Sequence, residues 1–247
     1  MPSLQVHLLP ELVDSGALAN SCCVVIDVLR ATTTIVAALA AGARAVIPCL
    51  TIDDARHQRA VLGSEALLGG ERGGLPIEGF DAGNSPAEYT RQLVAGRTVV
   101  LTTTNGTKAL LHARRAGEVV IGAFANLSAV CTHLAGRSRV DVLCAGTDGQ
   151  VTREDVLMAG AIADRMVAIA PWDLNDQALR AADAWREVAG DHVPQRTHRL
   201  LAALRASQGG QNLIAIGIER DIELAARIDS SRLLPRFYPR TGRIVAK

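Results

Sequence analysis

Over the first 170 residues, short continuous blocks of apolar residues alternate with segments whose apolar positions return every three or four residues. The blocks Gln5–Leu9, Cys22–Val28, Ala45–Cys49, Ala66–Leu68, Thr98–Thr102, Val119–Ile121 and Val140–Cys144 predict strands. The segments Thr32–Ala41, Ile52–Val61, Pro86–Val94, Thr107–Arg115, Leu127–Leu134 and Arg153–Ala168 predict helices. Runs such as CCVVIDV and RVDVLCA are apolar at successive positions, as in strands covered on both faces by helices. After residue 170 the pattern turns helical, at Leu174–Val188, Arg196–Ala206 and Ile218–Arg227, before a short extended tail near Arg236–Tyr238. The expected fold is a three-layer α/β/α arrangement with a largely parallel or mixed central sheet and a helix-rich C-terminal portion. Without a Pro/Gly/Ser linker, residues 1–247 are expected to form a single compact unit, with 171–247 a candidate helical lobe.

Composition narrows the field. Of 247 residues, 49 % are apolar and 21 % charged, which suits a soluble globular chain. The balance of 26 Lys+Arg against 25 Asp+Glu removes the electrostatic case for nucleic acid or a membrane surface. Seven aromatic residues are too few for base-stacking platforms. The longest apolar candidate, Thr34–Ala43, is too short to span a bilayer. The start, MPSLQVHLLPEL, lacks the basic and apolar regions of a secretory signal, so a cytoplasmic location is expected. Five cysteines, at 22, 23, 49, 131 and 144, show no metal-binding spacing and are expected to be reduced. Cys22, Cys23, Cys49 and Cys144 lie in apolar runs and are expected to pack as buried thiols. A homodimer is the default oligomeric expectation.

Three times a buried block runs into a small polar turn and then a helix: at IDVLRATTT, at VVLTTTNGT and at VLCAGTDG. In α/β folds those strand ends meet on one edge, where ligands bind. The turn TTTNGTK, with Thr103, Thr104, Asn105, Gly106, Thr107 and Lys108, reads as an anion-binding turn or as an ordinary capped helix start. Asp27 lies in an otherwise apolar block, where an unpaired carboxylate costs several kcal/mol. It therefore calls for Arg30, a metal or a helix N-terminus as partner, while Arg30 could instead fork onto a phosphate or carboxylate. Six of the 22 glycines fall within Leu67–Pro86, a loop able to approach a ligand, with Glu71, Arg72 and Asp81 as its charged members. Asn84-Ser85-Pro86 reads as a capped helix start. Glu154 and Asp155 read as first-turn acids or as Mg²⁺ ligands beside the turn that begins at Gly146. Glu219 and Asp221 form a further acid pair, Asp221 suited to the edge of the core. The six histidines, at 7, 57, 112, 133, 192 and 198, form no HExxH and read as surface or packing residues. The chain has no GxSxG elbow, no P-loop and no dinucleotide fingerprint.

IDVLRATTT, GGERGG with GFDAGNSP, LTTTNGT, the AGTDG block with Glu154-Asp155, and IGIERDIELA together resemble the 2-phosphosulfolactate phosphatase family over residues 20–230. The resemblance implies an α/β/α phosphomonoesterase that uses Mg²⁺. Its archetypal reaction turns 2-phospho-3-sulfolactate into 3-sulfolactate and phosphate on the way to coenzyme M. A small, multianionic substrate of this kind needs both a metal and cationic or amide donors. Asp27, Glu71, Glu154 and Asp155 are the candidate metal ligands. Arg30, Arg72, Lys108, Thr103 to Thr107 and Gly146 are the candidate anion contacts, and Asp27, Arg30 and Glu71 the candidate catalytic residues. Asp27 is either a metal ligand or a nucleophile. Leu29, where a D-x-D-x-[TV] pattern needs its second acid, weighs against an aspartyl-phosphate route. The alternatives are a phosphatase of another phosphohydroxyacid and a non-catalytic protein that binds small anions.

Overall fold

A computed structural model describes residues 1–190 and 193–246; His192 lies outside the described residues. Eleven strands form one sheet. They are β1 (Ser3–His7), β2 (Cys22–Ile26), β3 (Ala45–Pro48), β4 (Ala66–Arg72), β5 (Leu75–Pro76), β6 (Thr98–Thr102), β7 (Glu118–Gly122), β8 (Arg139–Cys144), β9 (Asp173–Leu174), β10 (Pro235–Tyr238) and β11 (Arg243–Ala246). Ten α-helices lie among the described residues. They are α1 (Ala31–Ala40), α2 (Ile52–Leu62), α3 (Arg91–Val94), α4 (Gly106–His112), α5 (Leu127–Leu134), α6 (Arg153–Ile169), α7 (Asp176–Ala189), α8 (Arg196–Arg205), α9 (Gln208–Ala215) and α10 (Arg220–Ala225). No described helix is long and apolar enough to cross a membrane.

The strand order is β5-β4-β6-β3-β11-β10-β7-β2-β8-β1-β9. Strands β4, β6 and β3 are mutually parallel, as are β7, β2, β8, β1 and β9. The hairpin β10–β11 joins the two sets through three antiparallel steps, so the sets run in opposite senses. In a flat sheet their C-terminal ends would point to opposite edges. They meet instead, because the sheet curls around α1 and α4. Ile35 and Val36 of α1 and Ala109 and Leu110 of α4 share one buried cluster with Val25, Val46, Val99 and Ile121 from both strand sets.

Alternation along β2 shows why an all-apolar strand is needed here. Cys23 and Val25 face α1 and α4, while Cys22, Val24 and Ile26 face a second cluster built with α5, α6, α7 and α8. The resulting layers are the mixed α/β arrangement that the pattern predicts, with α6 to α10 supplying the helix-rich end. Asn175 fastens that end to the sheet: its side chain caps α7 at the Ala178 N–H (2.9 Å) and exchanges two 3.0 Å bonds with the Val6 backbone. All five cysteines are buried and unpaired.

Two local expectations are corrected. Asp27 is not inside a strand, since β2 ends at Ile26 and Asp27 is the first residue beyond it. Asn84-Ser85-Pro86 does not begin a helix: a turn follows, and α3 starts only at Arg91, capped by the Thr90 hydroxyl. Ser85 Oγ accepts the Ala87 N–H at 3.3 Å within that turn while its O–H donates to Asp221 Oδ1 at 2.6 Å.

Candidate active site

The converging C-terminal ends of β2, β4, β6 and β8 hold a group of acids. Asp27 turns back onto its own chain: its Oδ1 accepts the Ala31 N–H (3.1 Å) at the start of α1, and its N–H donates to Thr32 Oγ1 (3.1 Å). Oδ2 makes no hydrogen bond among the described residues. Gly106 abuts it, and a Cβ there would stand 2.6 Å from Oδ2, so only glycine lets the turn after β6 close on Asp27. Glu71, near the end of β4, accepts from the Thr104 N–H (2.7 Å), the Thr104 hydroxyl (3.1 Å) and the Gly74 N–H (2.8 Å).

Asp155, in the first turn of α6, ties two strand ends together. Its Oδ1 accepts the Val28 N–H at 2.9 Å, and its Oδ2 accepts the Gly146 N–H at 3.0 Å. Its neighbour Glu154 is buried against Ser207 and Gly209, and its Oε2 has no hydrogen-bond partner among the described residues. A Cβ on Gly209 would run into Glu154 Oε1.

One cation is built into this edge. Arg30, 5 % exposed, donates from Nη1 to Asp221 Oδ2 (2.9 Å) and from Nη2 to the Gly74 carbonyl (2.7 Å). Asp221, 1 % exposed on α10, thereby neutralises Arg30. The charges of Asp27, Glu71, Glu154 and Asp155 are left without a matching cation. The electrostatics follow. Burial pushes the Asp27 carboxyl up to about 7, with Glu71 and Glu154 raising it further against the Ala31 N–H and Arg30. Burial likewise raises Glu154, and raises Asp155 well above the ordinary range, the latter reinforced by Asp27 and Glu154.

Asp27, Arg30, Glu71, Thr104 and Asn105 line a common cavity of about 370 Å³. Gly209, Asn212 and Ile216, from α9 and the turn after it, form its far wall. A family model described as 2-phosphosulpholactate phosphatase matches residues 7–239. A protein of Deinococcus radiodurans named "Probable 2-phosphosulfolactate phosphatase" is 41 % identical over 239 residues, covering 96 % of this chain and 93 % of the relative. Proteins with the same name from Symbiobacterium thermophilum and Thermotoga petrophila are 42 % and 39 % identical, covering 89 % and 86 % of this chain and 92 % and 87 % of their own.

The chain belongs to the 2-phosphosulfolactate phosphatase family. It is thus a phosphoric monoester hydrolase by family, and the cavity at the converged strand ends is the candidate site for that chemistry. Not every residue singled out in the sequence reaches it. Thr103 and Thr107 spend their donors on each other: each N–H donates to the other's hydroxyl at 3.1 Å. Gly146 is committed to Asp155. Arg72 follows Glu71 on β4 and, by strand alternation, points to the other side, where it donates to Thr102 Oγ1 (2.8 Å) and the Leu50 carbonyl (3.1 Å). Lys108 is exposed and borders a separate hollow of about 220 Å³ with His112 and Asp148. Glu154 and Asp155 lie behind the cavity wall rather than on it.

The four acids do not bring three carboxylate oxygens within 4.8 Å of one another; among the described residues only Cys22, Glu118 and His133 bring three donors that close. The acids nevertheless fit a hard divalent cation. They are oxygen donors in a buried setting with surplus negative charge, an unpartnered Glu154 Oε2 and a free Asp27 Oδ2. The α9 wall was not foreseen. It falls between the expected helices Arg196–Ala206 and Ile218–Arg227, where the sequence pattern assigns no element.

Proposed function

We propose that this chain is a Mg²⁺-dependent phosphatase of 2-phospho-3-sulfolactate, releasing 3-sulfolactate and phosphate. The observation that carries the reading is the pairing, on one cavity, of a buried arginine with carboxylates that no protein cation balances. Asp27 and Glu71 would hold the ion, with Glu154 behind them. When bound, Mg²⁺ supplies neutralising charge for phosphoryl oxygens and a more acidic water.

The chain's own residues bind and orient. Asp221 and the Gly74 carbonyl hold the Arg30 guanidinium still, so its remaining N–H groups can receive an oxyanion with little loss of side-chain freedom. Thr104 and Gly74 fix the Glu71 carboxylate through three hydrogen bonds. Asp27 Oδ2, with no protein partner, is the oxygen free to bind an ion or hold a proton. The α9 wall limits water access from the opposite side. The five buried, unpaired cysteines support a reducing compartment such as the cytoplasm.

The test is phosphate release from racemic 2-phospho-3-sulfolactate in Mg²⁺ and in EDTA, beside phosphoglycolate, phospholactate and p-nitrophenyl phosphate. Rapid release that needs Mg²⁺ and favours the sulfonated ester is expected. Release from the other esters alone would reject the substrate, and equal rates in EDTA would reject the metal.

A further inference from the structure

One side chain on the cavity wall is buried with an acceptor that no described residue satisfies. Asn84 is 4 % exposed, lines the same cavity as Asp27 and Arg30, and its side-chain Oδ1 has no hydrogen-bond partner among the described residues. Its backbone is well held. The Asn84 carbonyl accepts from Thr34 Oγ1 at 2.7 Å, and the next residue, Ser85, donates to Asp221 Oδ1 at 2.6 Å. Asp221 is also the residue that fixes Arg30, so Asn84 and Arg30 are registered through one carboxylate. Leaving a buried amide unpaired is costly, and natural chains keep such groups where a ligand completes them. Helix capping does not explain Asn84 either, because no helix starts there.

We propose that Asn84 is a substrate-contacting residue, its side-chain amide donating to an oxyanion of the bound phosphohydroxyacid beside Arg30. This rests on the phosphatase reading above. An amide has a donor end and an acceptor end; Oδ1 is the enclosed, unpartnered end, and the NH₂ is the end that donates to the ligand. A neutral donor suits a substrate with several anionic groups, because it can hold one of them without adding a further charge to the site. The oxyanion is either the phosphoryl group or the carboxylate and sulfonate end, and two probes separate these sources.

The experiment compares the wild type with Asn84→Ala and the isosteric Asn84→Asp. Melting temperature, calorimetric affinity for inorganic phosphate and for 3-sulfolactate in Mg²⁺, and steady-state phosphate release are measured for each. Asn84→Ala is expected to weaken one probe about ten- to a hundredfold and to raise KM in step. Asn84→Asp, which sets a carboxylate against the oxyanion, should weaken it further. The Asn84→Ala melting temperature should stay level or rise, because an unpaired buried polar group is removed. Loss of phosphate affinity assigns the amide to the phosphoryl group, and loss of sulfolactate affinity alone assigns it to the other end. A lowered melting temperature with both affinities intact would make Asn84 structural and overturn the proposal. A fall in kcat alone, with both affinities intact, would overturn it too. If the wild type releases no phosphate but binds a probe in an Asn84-dependent way, the amide contact stands and the substrate reading falls. If the wild type binds neither probe, both fall.

Discussion

The two ends of β2 bury carboxylates in opposite ways. At its C-terminal end, Asp27 gathers Glu71, Glu154 and Asp155 around it, and the one buried cation, Arg30, is already spent on Asp221. At its N-terminal end, Cys22 sits in register with Glu118 of β7. There Glu118 is met by Arg137 at 2.8 Å, Arg236 at 3.1 Å and His133 at 2.9 Å. Burial pushes against ionisation at both ends. It wins for Asp27, whereas at Glu118 it is outweighed by the His133 hydrogen bond and the charges of His133, Arg137 and Arg236, which hold the carboxyl below its usual range. The N-terminal end is complete in itself. The close approach of Cys22 to Glu118 and His133 does not make it a thiolate metal centre, since burial pushes the Cys22 thiol up to about 12 and two arginines already occupy the carboxylate. At the C-terminal end no protein cation balances the acids, the arrangement on which the proposed cation site rests.

The largest test of this contrast is Asp27→Asn. It removes the least compensated charge from the site. Phosphate release should fall by about 10³-fold, the scale of losing a group that acts on the transition state. The melting temperature should not fall, because the amide keeps the shape and drops a buried charge. Near-normal turnover in Mg²⁺ would remove Asp27 from both the metal-ligand and the nucleophile roles.

Asp221→Ala probes the one neutralised pair at the same end. It strands the Arg30 guanidinium, which is 5 % exposed, and should destabilise the fold by about 3–5 kcal/mol in urea denaturation. A double variant, Arg30→Met with Asp221→Leu, should regain most of that stability but not the activity. Glu118→Gln makes the matching change at the other end. It should cost about 1–3 kcal/mol of stability, as expected when a half-buried charge network loses its one negative charge, and leave phosphate release unchanged. A loss of turnover in Glu118→Gln would mean the two ends are coupled and would blur the distinction.

The sequence made one end of this contrast easier to read than the other. Seven strands and most helices are legible because strands such as β2, β6 and β8 are covered on both faces and carry continuous apolar runs, complete in β2 and broken in β8 by Asp141. Strand β5 and strand β9 have two residues each and carry no pattern of their own, and β11 is a four-residue strand beyond the predicted tail. Helix α9 was hidden by Gly209 and Gly210, poor helix formers that packing demands here: a Cβ at Gly209 would strike Glu154, and one at Gly210 would strike the Leu204 carbonyl. In the site, Asp27, Arg30 and Glu71 were legible as charges out of place in apolar or glycine-rich surroundings. The partner of Arg30 was not, because Asp221 lies 191 positions away and only the fold brings it back. Arg72 shows the reverse case. Period-two alternation after Glu71 already argues that two neighbours on a strand cannot share one pocket.

The smallest expected effect is in the pH dependence of stability, and its sign differs between the ends. Asp27, Glu154 and Asp155 have folded-state pKa values above the unfolded ones, so between the two the native chain holds more protons than the unfolded chain. Stability of the metal-free protein should therefore rise, on the order of 1 kcal/mol, as pH is lowered from 8 towards 5. Glu118 and Asp141 are held below their unfolded values, Asp141 by its His7 hydrogen bond and by the charges of His7 and Arg139 despite burial. What they contribute is present above the unfolded carboxylate pKa and is lost as pH falls below about 4, through their folded values. Urea midpoints from pH 3 to 8 in EDTA should thus pass through a maximum near pH 5. Asp27→Asn should flatten the limb above pH 5 and leave the acid limb in place, whereas Glu118→Gln should do the opposite. Saturating Mg²⁺ should flatten the upper limb in the wild type, because a bound cation favours the ionised acids at the C-terminal end and has no site at the other. An upper limb that ignores both Mg²⁺ and Asp27→Asn would mean that those acids are already balanced within the folded chain.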